Sequence, residues 1–288
     1  MMISKYHQPP IINVNHVHLY VQNLERSLAF YQEIIGLSIL KQEGHKVDLT
    51  ADGKTPLLTI ESPQGVQSKQ PRTTGLYHFA ILLPTRKDLA LFFRHLLINR
   101  VPLQGGSDHG FSEALYFADP DGNGIEVYAD KPDDTWEWEN GQVKGITTYM
   151  DIEGLMALVG EEFFERLPVD TIMGHIHLHV DNLEEADKFY LEGLGLDLTM
   201  RYPGHASFYS WGNYHHHIAV NVWNGVNAAR PNPLSAGLHE YTIVYYDENV
   251  IQETVNRLKA LGYTVNLDIE DYVTQDPVGN NIRLTLVK

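Results

Sequence analysis

The chain contains no cysteine, so disulfide bridges and thiolate metal sites are both excluded. It is also short of positive charge: 21 Lys and Arg stand against 37 Asp and Glu, a net charge of −16 at pH 7. That balance argues against a nucleic-acid partner or an anionic membrane surface. No apolar run reaches the roughly 20 residues that a membrane-spanning helix needs. The opening M-M-I-S-K-Y-H-Q-P-P has no hydrophobic region of a signal peptide. A cytoplasmic protein with no membrane partner is therefore expected. The 288 residues, 43% of them hydrophobic, suffice for the core of one large or two medium domains. Histidine, in contrast, is abundant at 15. Any metal site must use His and carboxylate, ligands that suit iron, manganese, zinc or nickel.

The chain repeats itself. His16 to Leu37 reads H-V-H-L-Y-V-Q-N-L-E-R-S-L-A-F-Y-Q-E-I-I-G-L, and His175 to Leu196 reads H-I-H-L-H-V-D-N-L-E-E-A-D-K-F-Y-L-E-G-L-G-L. In both copies an alternating strand runs into an Asn that can cap a helix, and a Gly ends the helix. Further strand–helix starts lie near Leu76 and His239. Each unit reads as a strand, a helix and then three strands, four units in all. The polar, turn-rich stretch after Lys131 interrupts this rhythm. The expected division is residues 11–130 as a first pair of modules, 131–171 as a linker with a short helix, and 172–288 as a second pair.

The most informative stretch is Asp108 to Tyr128, D-H-G-F-S-E-A-L-Y-F-A-D-P-D-G-N-G-I-E-V-Y. Asp119-Pro120-Asp121-Gly122 is turn chemistry between two short strand-like runs, hence a hairpin. Alternation lets Tyr116, Glu126 and Tyr128 face one cavity. A carboxylate inside a cavity is costly unless it is paired or bound to a metal. The end of the chain carries a second such hairpin, D-P-V-G-N-N-I-R-L-T, with Arg283 where the first has Glu126.

This stretch resembles the signature of the type I extradiol ring-cleaving dioxygenases, the family of the bacterial catechol 2,3-dioxygenases. His109, Leu115, Tyr116, Asp119, Pro120, Gly122 and Glu126 fill its positions, and Ser107 is the one departure. Together with the four units, it is similar to the vicinal oxygen chelate superfamily, which also holds glyoxalases and bleomycin resistance proteins. The resemblance implies an α+β fold of four βαβββ modules, paired into two U-shaped sheet domains.

The resemblance also implies where ligands lie: on the first strand of each paired module and on the last strand. First-strand candidates are His16, His78, His175 and His239. On the last strand module two has Glu126, whereas the cation of Arg283 in module four would repel a metal. The working half must then include His78 and Glu126. Module three is the better partner, because Tyr214–Val220, Y-H-H-H-I-A-V, resembles the stretch where the family places its base. The expected facial triad is His78, Glu126 and His175, with modules two and three paired and modules one and four forming the other half. His16 and His217 remain alternative ligands, and a triad of His16, His78 and Glu126 competes. His216 is the expected base, with His215 and His217 as near alternatives. Tyr116 would donate a hydrogen bond to substrate and His109 would sit over the bound oxygens.

The activity implied by the resemblance is that of an extradiol (meta) dioxygenase of aromatic hydrocarbon catabolism. It would use non-haem Fe(II), with Mn(II) as the alternative, to insert both atoms of O2 into a catechol-type diol and give a muconic semialdehyde. The resemblance also allows a homo-oligomer. Two other readings stand beside it: a glyoxalase I-like metal-dependent lyase, and a non-catalytic ligand-binding protein of the same fold.

Overall fold

The computed structural model describes residues 4–287 and shows four strand–helix–three-strand modules. Module one comprises β1 (Asn13–Tyr20), α1 (Leu24–Phe30), β2 (Ser38–Glu43), β3 (Lys46–Thr50) and β4 (Leu58–Glu61). Module two comprises β5 (Gly75–Leu82), α2 (Arg86–Ile98), β6 (Gly105–Asp108), β7 (Ser112–Ala118) and β8 (Gly124–Asp130). The connection holds a 3-10 turn (Asp133–Thr135), β9 (Trp138–Glu139), β10 (Gln142–Val143), β11 (Thr148–Tyr149) and one short α-helix, α3 (Ile152–Met156). Module three comprises β12 (Ile172–His179), α4 (Leu183–Asp187), β13 (Asp197–Tyr202), β14 (Ala206–Ser210) and β15 (Ile218–Asn221). Module four comprises β16 (Gly237–Tyr245), α5 (Glu248–Ala260), β17 (Val265–Asp268), β18 (Asp271–Gln275) and β19 (Asn281–Leu286). No helix among the described residues is long and apolar enough to cross a membrane.

Each module turns from strand to helix at a capping residue. Asn23, Thr85, Asn182 and Asp247 each accept a hydrogen bond from a backbone N–H of the first helical turn. That satisfies a donor the helix itself leaves unpaired.

The modules assemble into two curled sheets. One has the strand order β17-β18-β19-β16-β1-β4-β3-β2, and the other β11-β6-β7-β8-β5-β12-β15-β14-β13. Module one thus shares a sheet with module four, and module two with module three. Each sheet draws one module from each half of the chain, so the connecting segment divides the sequence without dividing the sheets. The first strands join the modules: β12 runs antiparallel to β5, and β1 antiparallel to β16. A continuous apolar core lies on the helix-covered faces of both sheets, with Tyr31, Phe79, Phe92, Phe189, Tyr190 and Tyr241 among its fully buried members.

Two matching hydrogen bonds clasp the sheets together. The Tyr31 hydroxyl of module one donates to Asp119 in the β7–β8 turn at 2.8 Å. Tyr190 of module three donates to Asp276 in the β18–β19 turn at 2.9 Å. Asn123 and Asn280 fold each turn onto the same carboxyl through backbone and side-chain N–H groups. Each clasp is a buried bond from a hydroxyl to an acid, so its loss leaves a desolvated acceptor. Tyr31→Phe and Tyr190→Phe should each lower stability by about 1–3 kcal/mol in urea unfolding. Unchanged midpoints would show that the clasps carry no stability.

Candidate metal centre

The antiparallel and parallel registers around β5 bring three donors to one point. Glu126 on β8 lies beside Ala80 of β5, and Ala80 lies beside His175 of β12. His78 is two residues before Ala80, on the same face of the strand. His78 Nε2 is 3.0 Å from Glu126 Oε2, His175 Nε2 is 3.2 Å from the same oxygen, and the two Nε2 atoms are 3.3 Å apart. All three side chains are buried. Burial opposes the charge of Glu126, but the electrostatic attraction and hydrogen bonds of His175 and His78 outweigh it and hold the carboxyl well below its ordinary range. Burial holds His175 down at about 4, against the opposing pull of Glu126, so its imidazole is neutral and can ligate.

The donor set fits a divalent metal. Two ligand atoms about 2.1 Å from one ion and at right angles lie about 3.0 Å apart, so three mutual distances just above 3 Å match one face of an octahedron. Among the described residues, this is the group of His and acidic side chains close enough to hold an ion.

The other expected residues fall into three groups. His216, Tyr116 and His109 line a cavity that His78 and Glu126 also line. The His216 ring centroid is 4.1 Å from that of His175. Burial, reinforced by His175 and His215, keeps His216 well below its ordinary value and neutral. Tyr116 lies opposite Glu126 across the β7–β8 ladder. Burial and the charge of Glu126 raise its phenol well above the ordinary value, so it keeps its proton. His109 Nδ1 is 3.0 Å from the Ile146 carbonyl, which can only accept, so Nδ1 carries the proton. With its proton on Nδ1, His109 accepts at Nε2 from the Tyr116 hydroxyl at 2.7 Å.

Other candidates lie elsewhere. His16 is in the other sheet, with its Nε2 2.7 Å from Thr59 Oγ1. His217 accepts from the Trp211 N–H at Nδ1 and faces the Tyr6 carbonyl through Nε2, so both ring nitrogens are occupied. Tyr128 does not line the cavity. It is fully buried beneath the donors, and its hydroxyl occupies the space left by the missing side chain of Gly174.

His239 is not the module-four counterpart of His78, contrary to expectation. In the two sheets His177 faces His78 and His18 faces Glu240, so Glu240 occupies the corresponding place. Arg283 takes the place of Glu126, because it lies beside Thr242 as Thr242 lies beside His16. Arg283 donates to Glu240 at 2.8 Å and also to Asp268 and Asp271. That half therefore holds a built-in cation where the first half presents metal donors.

Other cavity walls had no signal in the sequence. Among them are Tyr77, Met200, Tyr202, Phe208 and Trp223, with Gln104 and Thr147. Tyr77 and Trp223 meet edge to face at 5.2 Å near the mouth, where both are partly exposed. The cavity measures about 330 Å³, and no lysine or arginine is among the described residues that line it.

A family model described as Glyoxalase/Bleomycin resistance protein/Dioxygenase superfamily matches residues 13–127 and 172–282. The chain is 45% identical over 270 residues to Catechol-2,3-dioxygenase of Bacillus subtilis (strain 168), covering 92% of this chain and 94% of that one. It is 28% identical over 136 residues to Biphenyl-2,3-diol 1,2-dioxygenase 3 of Rhodococcus globerulus, 44% of this chain and 70% of that one. Among solved structures, glyoxalase I from Zea mays matches with a TM-score of 0.59 at 15% identity, over 95% of this chain and 92% of that one. At that identity the likeness concerns the fold alone.

Proposed function

The chain belongs to the glyoxalase/bleomycin resistance protein/dioxygenase superfamily, and from that premise we propose that it is an extradiol dioxygenase that cleaves catechols at a metal held by His78, His175 and Glu126. The observation that carries this reading is a buried group of two His and one carboxylate, of which His78 and Glu126 line one cavity together with His216, Tyr116 and His109. Bound there, Fe(II), or Mn(II) in its place, would supply the electron transfer that lets a catecholate react with O2. The products would be muconic semialdehydes.

The residues divide the remaining work. His216 is neutral and sits beside His175, so it can take a proton from a catechol hydroxyl: the O–H bond breaks, an N–H bond forms, and the imidazolium can return the proton later. Tyr116 donates its O–H to His109 in a hydrogen bond in the resting protein. A proton arriving at His109 Nε2 would reverse that bond and release the phenol to donate to substrate. The aromatic walls and the thioether of Met200 exclude water and grip the ring faces. With no cation in the wall, an acidic ring substituent would be desolvated without a partner. The volume is near the lower end of the roughly 300–1,000 Å³ usual for ligand pockets, which favours a small, uncharged catechol.

A glyoxalase-like lyase is less well supported. Among the described residues the donor group has one carboxylate, whereas that chemistry usually uses two, and it leaves Tyr116, His109 and His216 without a task.

The test is anaerobic reconstitution with Fe(II), followed by O2 uptake on adding catechols. Neutral catechols should consume O2 and yield ring-cleaved product. A carboxylate-bearing catechol should fall behind by a factor of about ten or more in kcat/KM. No uptake with any catechol would overturn the proposal, and a preference for the acidic one would overturn its substrate class.

A further inference from the structure

Two side chains behind the cavity have no task in that chemistry: Asp130, at the end of β8, and His215. His215 is fully buried, stacked on Phe111 with ring centroids 4.3 Å apart and packed against Tyr214 at 3.9 Å. Its Nε2 is 3.0 Å from Asp130 Oδ1, and its Nδ1 is 2.8 Å from His216 Nδ1. Tyr214 donates to the same carboxyl, 3.0 Å from Oδ2. Tyr128 therefore donates to the Tyr214 oxygen at 2.7 Å, which closes the network from below.

Hydrogen-bond arithmetic sets the direction of this chain. A carboxylate only accepts, and a neutral imidazole has one N–H and one lone pair. His215, enclosed between Phe111 and Tyr214, is held neutral by burial. If Asp130 accepts from His215 Nε2, His215 Nδ1 has the lone pair. The 2.8 Å contact between the two Nδ1 atoms then needs its hydrogen from His216. His216 consequently carries Nδ1–H, and Nε2 is its free acceptor.

We propose that Asp130 and His215 form a relay that fixes the tautomer of His216, so that its Nε2 remains the proton acceptor for the catechol. The proposal rests on the reading of His216 as base, and both residues are positioning residues. When Nε2 takes the catechol proton, the Nδ1–H of the imidazolium stays directed at His215, whose own N–H stays directed at the Asp130 carboxylate. The positive charge is thereby solvated without any further proton movement.

Asp130→Asn is the discriminating variant. Its amide oxygen can still accept from Tyr214, which leaves an N–H facing His215 Nε2. Every bond of the relay then reverses, and His216 would carry its proton on Nε2, unable to accept.

The first experiment needs neither metal nor turnover. Metal-free protein with 15N-labelled histidine is studied by NMR at pH 8, above the value of about 7 to which burial pushes Asp130. Ring 15N shifts and two-bond couplings identify the protonated nitrogen. Wild-type His216 is expected as Nδ1–H, Asp130→Asn as Nε2–H, and Asp130→Glu as Nδ1–H again. A wild-type His216 protonated at Nε2 would overturn the relay with no variant needed, as would an unswitched tautomer in a folded Asp130→Asn. The second experiment uses the Fe(II)-loaded enzyme. Asp130→Asn should keep its metal and its KM for catechol while kcat drops by about 10²–10⁴, and Asp130→Glu should recover most of the loss. Equal losses in both variants would reduce Asp130 to a structural role and overturn the relay. A switched tautomer with unchanged kcat would uphold the relay and overturn His216 as the base.

Discussion

Glu126→Ala is expected to eliminate metal retention and ring cleavage together, taking activity to background. His78→Ala and His175→Ala should do the same, because each leaves two donors where an octahedral face needs three. Glu126 matters twice over. It faces both imidazoles, at 3.0 and 3.2 Å, and it is the single anion that offsets the charge of a buried dication. Elemental analysis after dialysis should find about one ion per wild-type chain and none in these variants. His16→Ala is the control. That residue lies in the other sheet against Thr59, so its loss should leave both metal and activity intact. Far-ultraviolet circular dichroism and a melting curve check that the variants remain folded. Full occupancy in a folded Glu126→Ala protein would refute the ligand assignment, and metal loss in His16→Ala would move the centre to the other sheet.

Much of this geometry is legible in the sequence, because it rests on chemistry that sequence displays. The constant offset between His16–Leu37 and His175–Leu196 exposes the repeat, and the capped helices stand where Asn23 and Asn182 do. The contrast between Glu126 and Arg283 selects one half of the molecule, since a carboxylate attracts a metal and a guanidinium repels one. Register is harder to read. A one-residue shift reverses the face a side chain occupies, so His239 looks like the partner of His16 when Glu240 holds that place. The bulges in β1 and β12 that break strict alternation leave no compositional trace. The cavity walls are invisible for another reason. Met200, Phe208 and Trp223 are ordinary apolar residues, and only the curl of the sheet carries them to the metal donors. The pairing of Asp130 with His215 joins residues 85 positions apart, and although His215 stands in the Tyr214–Val220 stretch, nothing in that stretch points to Asp130.

His216→Ala should produce the second-largest loss, and its form separates ring cleavage from the lyase reading. His216 packs beside His175 but is not one of the three converging donors, so the variant should keep its metal and still bind catechol. Without a positioned base the hydroxyl must lose its proton to solvent in a cavity walled by aromatic rings, and turnover should drop by about 10²–10⁴. Free imidazole should restore part of that loss by entering the space left behind. Tyr116→Phe should cost less, about 1–3 kcal/mol, because it removes one hydrogen bond and no proton acceptor. It also frees His109 Nε2, which in the resting protein accepts that hydroxyl at 2.7 Å. The measurement is O2 consumed and ring-cleaved product formed per bound metal. A His216→Ala enzyme as fast as wild type would place the base elsewhere on the cavity wall. A wild-type Fe(II) protein that consumes no O2 with any catechol, yet isomerises a thiol hemithioacetal, would replace the dioxygenase by the lyase. In that case the His109–Tyr116 pair would need another explanation, since a hydrogen bond from Tyr116 to the catechol is what puts it to use.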